Sequence, residues 1–155
     1  MLSEILKELK SKPTTLFDNY DTGIDTRIVG SAVKGRLAEL TQLLSTINGY
    51  KTHAMLMKKQ AETKLEELTT LAWRAIGKNK EMNTTEKRIE VKTQEVELYG
   101  EVTTINELTA KINLYEYVFE RGKDKAKEVE KSLDAARSML SWDKQEHNKS
   151  EYGGS

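Results

Sequence analysis

Between Val33 and Ala72, apolar residues return at alternating steps of four and three: Val33, Leu37, Leu40, Leu44, Ile47, Ala54, Ala61, Leu65, Leu68 and Ala72, with Lys51 and Lys58 at two seam positions. This is the a/d rhythm of a coiled coil, not the period-two alternation of a strand. With Asp25 or Thr26 as N-cap and an end near Gly77, the spacing predicts one long helix over residues 26–76, with Gly49 as a point where it can bend. Such a helix is about 75 Å long at 1.5 Å per residue, whereas a compact chain of this size has a radius of gyration of about 15 Å. The stripe therefore outruns what one chain is expected to cover, which predicts self-association. Lys51 and Lys58 either fix register and oligomer number, at a cost in stability, or mark where the helix turns away from its partner.

The flanking segments are shorter. Leu2, Ile5, Leu6 and Leu9 recur at helical spacing after Ser3 as a possible cap, and Pro13 closes this small amphipathic helix. Residues 13–25 hold Pro, Asn, Gly and three Asp around Leu16, Phe17 and Tyr20, and read as an extended connector. After Gly77 comes a loop of about six residues, then Asn83 and Glu86 at capping-box spacing. They open a second long segment carrying Ile89, Val96, Val102, Ile105, Leu108, Ile112, Tyr115 and Phe119. A short loop between long helices makes an antiparallel hairpin. Gly122 reads as a break before a last helical face of Val129, Leu133, Ala136 and Leu140. The expected class is thus all-α: an elongated antiparallel helical hairpin with a short N-terminal helix and a C-terminal helical assembly region. Residues 1–142 form a single helical domain, and residues 143–155, without apolar period, a disordered tail.

Charge is balanced overall, 25 Lys+Arg against 25 Asp+Glu, so the mean gives no argument for nucleic acid. Its distribution is uneven. Residues 51–92 carry ten Lys/Arg and six Asp/Glu, net +4, while 93–120 carry one Lys and six Glu, net −5. Two readings stay open: solvated helix faces, or a basic belt for phosphates beside an acidic surface for a basic partner. No uninterrupted apolar stretch approaches a membrane span and no long apolar leader opens the chain, so a cytoplasmic setting without membrane contact is expected.

Chemistry of other kinds is sparse. There is no cysteine for thiolate metal sites or nucleophilic catalysis, and His53 and His147 are the only histidines. Neither a histidine-based triad nor a zinc site of facing histidines can be assembled, and no phosphate-loop or dinucleotide fingerprint occurs. The expectation is a protein that is not an enzyme and uses no cofactor or metal.

Residues 58–80 stand out instead, gathering Lys58, Lys59, Lys64, Arg74, Lys78 and Lys80 with Trp73 near the hairpin end. An aromatic ring on which a base stacks, among cations that neutralise phosphates, is the design of non-specific single-strand binding; a tip residue packed for stability uses the same tryptophan. The order of parts resembles that of the UvsY-type recombination mediators of tailed phages, carried by LSEILKELK at 2–10, LAWRAIGK at 71–78, EKRIEVKT at 86–93 and LDAARS at 133–138. The resemblance implies a homo-oligomeric ring that binds single-stranded DNA. It also implies that the ring helps load a RecA-like recombinase onto strands covered by single-strand-binding protein. It further implies Trp73, Arg74 and Lys78, with Lys80 beside them, as DNA contacts, and Leu133, Ala136 and Leu140 as the assembly region. The chain departs from the family pattern at Leu68, Thr69 and Thr70, where basic residues are expected, and in its near-neutral pI. A different class remains open, a non-enzymatic helical adaptor or inhibitor that engages a host protein through the acidic 93–120 surface.

Overall fold

A computed structural model describes residues 1–152, with side chains to residue 146; the expectations for residues 153–155 and for the side chain of His147 lie outside the described residues. The chain is all-α, with one small hairpin of strands. Helix α1 spans Leu2–Ser11, α2 Ser31–Gly77 and α3 Thr84–Glu90; strands β1, Val96–Leu98, and β2, Glu101–Thr103, follow; α4 spans Ile105–Tyr152. Two compact units share the long helices: Met1–Lys51 with Glu120–Ser155, and Thr52–Phe119.

In the first unit, α2 and α4 are joined by α1 and the segment between α1 and α2. Leu9, Phe17, Val33, Leu40, Ile47, Tyr50, Ala126, Val129, Leu133 and Ala136 are all buried. The connecting segment is not an extended linker. Phe17 sits edge-on to both Tyr20 and Tyr50, with ring centroids 5.6 and 5.9 Å away. The Arg36 side chain donates to the carbonyls of Asp21 and Gly23, and the Thr22 hydroxyl donates to Glu128 at 2.9 Å. The Ser132 hydroxyl of α4 donates to the Thr22 carbonyl, so the carbonyls of residues 21–23 find partners on the two helices they cross. Tyr50 donates to the Glu8 carboxylate; burial and that carboxylate together hold its phenol protonated far above the ordinary range.

The start of α2 differs from the sequence reading. Asp25 caps only a local turn: its carboxylate accepts from the Arg27 amide at 2.9 Å and also engages the Arg27 guanidinium. An Asx turn of this kind competes with helix nucleation, and the helix begins six residues later at Ser31. Neither Gly49 nor Gly122 breaks a helix. A Cβ on Gly49 would lie 3.3 Å from Ile5 Cδ1; one on Gly122 would lie 2.6 Å from Lys51 Cγ and 3.3 Å from Phe17 Cζ. The missing side chain in each case admits a neighbour. Gly35, also inside α2, would meet nothing within 4 Å. The same substitution should therefore act with opposite signs. Gly35→Ala is expected to stabilise by about 0.5–1 kcal/mol through helix propensity. Gly122→Ala, overpacked against a lysine stem and a buried ring, is expected to lose about 1–2 kcal/mol net. Thermal melts of the two variants beside the parent check both signs.

In the second unit, Ala61 and Leu68 of α2 form a buried cluster with Leu108 and Ile112 of α4. The two helices run antiparallel there, as Lys58 reaching Glu116 at 3.6 Å shows further along the pair. The second long segment expected from residue 84 is divided. The Asn83–Glu86 capping box forms, the Glu86 amide donating to Asn83 Oδ1 at 2.9 Å, but α3 stops after seven residues. Val96 pairs with Thr103, Glu97 with Val102 and Leu98 with Glu101 across a two-residue turn of Tyr99 and Gly100. Both turn residues have positive φ, 52° and 81°, the twist that a tight antiparallel hairpin requires and that glycine adopts without penalty. Thr104 then starts α4, its hydroxyl accepting from the Glu107 amide at 3.1 Å. At its far end α4 passes residue 142 and continues to Tyr152, since Lys, Glu and Gln sustain a helix without an apolar period.

Candidate nucleic-acid interface

The end of α2 is shaped by what folds against it. Ala72 and Ile76 are buried with Val91, and Met82, Val96 and Ile105 pack on this cluster, so the chain after α3 returns onto the helix it left. The turn between them is closed by the Asn79 amide donating to the Ile76 carbonyl at 2.9 Å and the Glu81 amide donating to Asn79 Oδ1 at 2.9 Å. Lys87, near the end of α3, donates its ammonium to the Gly77 carbonyl at 3.4 Å. This compensates the partial negative charge at the end of α2.

Trp73 follows the buried Ala72 and stands about 100° further round the helix, at the flank of the packed face, with 38% of its surface exposed. Arg74 is exposed in the last turn of α2, and Lys78 and Lys80 are exposed in the turn that follows its end at Gly77. The structure therefore brings together Trp73, Arg74, Lys78 and Lys80. It adds Lys87 and Arg88, which the sequence reading placed on a helix leading away. Over residues 73–92 there are six cations, Arg74, Lys78, Lys80, Lys87, Arg88 and Lys92, against Glu81, Glu86 and Glu90. Glu86 is engaged in its capping box, accepting from the Asn83 amide and side chain. Among the described residues Arg74, Lys78, Lys80, Arg88 and Lys92 join no ion pair.

The other sequence candidates do not join this group. Lys58 is committed to Glu62 at 3.8 Å and Glu116 at 3.6 Å, its stem largely covered, which accounts for a lysine at a seam position without invoking a partner chain. Lys64 lies nine residues before Trp73, half a turn round the helix, and Lys59 is exposed but about 21 Å from Trp73 along the axis. The candidate assembly residues are also taken up differently. Leu133 and Ala136 are 3% and 0% exposed and Leu140 is half-buried, so their apolar surface is spent within the chain.

Beyond the cationic turn, the outer face of the hairpin is acidic. Glu95 and Glu97 are exposed on the face of Val102, the cross-strand partner of Glu97, while Val96 and Leu98 face the packed clusters and Glu101, paired with Leu98, is exposed on the other face. Tyr99, at the turn, donates to Glu67 at 2.7 Å, and that carboxylate raises the pKa of its phenol. Among the described residues no group of three or more His, Cys, Asp or Glu could hold a metal ion, and no helix is long and apolar enough to cross a membrane. No protein-family model, curated protein or solved structure matches the chain.

Proposed function

We propose that this chain is a non-enzymatic single-stranded DNA-binding protein acting as a recombination mediator, which assists loading of a RecA-like recombinase onto strands covered by single-strand-binding protein. The observation that carries the reading is the half-exposed Trp73 ring beside Arg74, Lys78 and Lys80, cations without an ion-pair partner among the described residues. A base stacks on the ring while the cations neutralise neighbouring phosphates, and neither contact reads sequence. The order of sequence parts supplies the mediator role and its protein partners. Fluorescence anisotropy with labelled oligo-dT tests strand binding. Three or four phosphate contacts give a log–log salt slope of about −2 to −3. Absence of binding at low salt sinks the reading.

The acidic hairpin favours a second reading, a helical adaptor or inhibitor that holds a basic protein partner and no nucleic acid. Silent strand binding, together with a nuclease-resistant host complex lost on Glu95→Lys and Glu97→Lys, distinguishes it.

A further inference from the structure

The turn of the hairpin reaches α2 through Tyr99, whose ring is 73% exposed and whose hydroxyl donates to Glu67 Oε2 at 2.7 Å. Beside the ring lies an open slot of about 270 Å³, lined by Tyr99 and by Gln60, Thr63, Lys64 and Glu67, which stand three or four apart on one face of the helix. The turn itself gives no reason for an aromatic ring there. Positive φ at both central residues is met at least cost by Asn-Gly or Asp-Gly, yet the first place, at φ 52°, holds a tyrosine, a side chain that enters this region only at a cost.

The lining offers an aromatic face and acceptors. Glu67 Oε1 and the Gln60 amide have no hydrogen-bond partner among the described residues, and Thr63, whose hydroxyl donates to the Lys59 carbonyl at 3.1 Å, keeps its oxygen as a further acceptor. Glu97 and Glu101, two residues to either side of Tyr99, are exposed on opposite faces of the hairpin, and neither they nor Glu67 join an ion pair among the described residues. Lys64 is the one cation in the lining. Three carboxylates against one ammonium disfavour a phosphate and attract a cation. Of the basic side chains, a guanidinium is flat, stacks on an aromatic ring and donates through a planar fork; an ammonium has neither the plane nor the fork.

We infer that this slot takes an arginine side chain of a protein partner, its guanidinium stacked on Tyr99 and donating to Glu67 Oε1 and the Gln60 amide oxygen. The inference rests on the acidic hairpin facing a basic protein, as in the second reading, and adds to it the side chain and the place; it needs no strand binding. Fluorescence anisotropy of the full chain at low salt, with a labelled Gly-Ser peptide bearing arginines and another with lysine at the same positions, tests it. The arginine peptide should bind about two- to fivefold tighter, the worth of an exposed guanidinium on an aromatic face. Tyr99→Asn removes the ring while giving the turn a residue it prefers, so it should fold at least as stably as the parent and abolish the preference; Tyr99→Phe should keep it. Lys64→Ala, which removes the opposing charge, should tighten the arginine peptide. Equal affinity for the two peptides, or a preference that survives Tyr99→Asn, overturns the slot while leaving the acidic surface a basic partner. Absence of binding by either peptide overturns the slot and that reading together. A slot that serves nucleic acid shows itself when Lys64→Ala weakens oligo-dT binding and leaves the peptide unmoved, which also overturns the inference.

Discussion

Replacing Trp73 by alanine is expected to weaken oligo-dT binding about 5- to 150-fold, the worth of one base stacked on an aromatic ring, about 1–3 kcal/mol. The loss should leave the salt slope unchanged, because the indole carries no charge and releases no counterion. Arg74→Ala should do the reverse in kind: a smaller fall in affinity at one salt concentration, with a slope shallower by about 0.7 for each phosphate the arginine no longer neutralises. Trp73→Phe should recover part of the affinity. The pair of measurements separates stacking from phosphate neutralisation. A tryptophan that served only to pack the turn would lower the melting temperature in both Trp73 variants and leave the binding curve of the folded fraction where it was. Trp73 is well placed for such a test, since the buried Ala72 and Ile76 on either side hold the turn through Val91, whether or not the indole is present.

Much of this arrangement is legible in the residues themselves. The steps of three and four from Val33 to Ala72 fix α2, and the Asn83–Glu86 spacing marks where α3 begins, because both are local rules that the final packing obeys. What the sequence hides is anything whose meaning depends on a distant neighbour. Gly49 and Gly122 read as weak points in a helix until Ile5, Lys51 and Phe17 are seen lying against them. The β-hairpin is a different failure. Val96, Val102 and Ile105 are compatible with a helical face, and Tyr-Gly is a less familiar turn pair than Asn-Gly. Yet the stretch VELYGEVT alternates apolar and charged residues on both sides of a glycine, which is the period of strands. Missing it sends residues 86–93 off along a long helix instead of back to the end of α2. That is why Lys87 and Arg88 are absent from the sequence-based site while Lys58 and Lys64, nearer in sequence spacing than in space, are present.

Leu68→Ala should cost about 2–5 kcal/mol, the usual loss when a fully buried leucine is truncated in a core that cannot collapse around the gap. In a chain of this length each kcal/mol moves the melting temperature by about 2–4 °C, so the shift is large enough to read by calorimetry. Its dependence on concentration is the informative part. The coiled-coil rhythm of α2 predicts a stripe shared between copies, and in that case the melting temperatures of parent and variant alike would rise with protein concentration, by mass action, the variant's deficit shrinking as its weakened association is restored. In the structure most of the stripe is covered within one chain: Val33, Leu40, Ile47, Ala54, Ala61, Leu68 and Ala72 are each at most 6% exposed, and Leu37, Leu44 and Leu65 are half-buried. The loss at Leu68 should then be equal at one and one hundred micromolar, and Leu40→Ala should behave alike. A destabilisation that shrinks as concentration rises would return the stripe to an intermolecular role. If the losses are equal, the stripe is spent within the chain and offers no seam to a second copy.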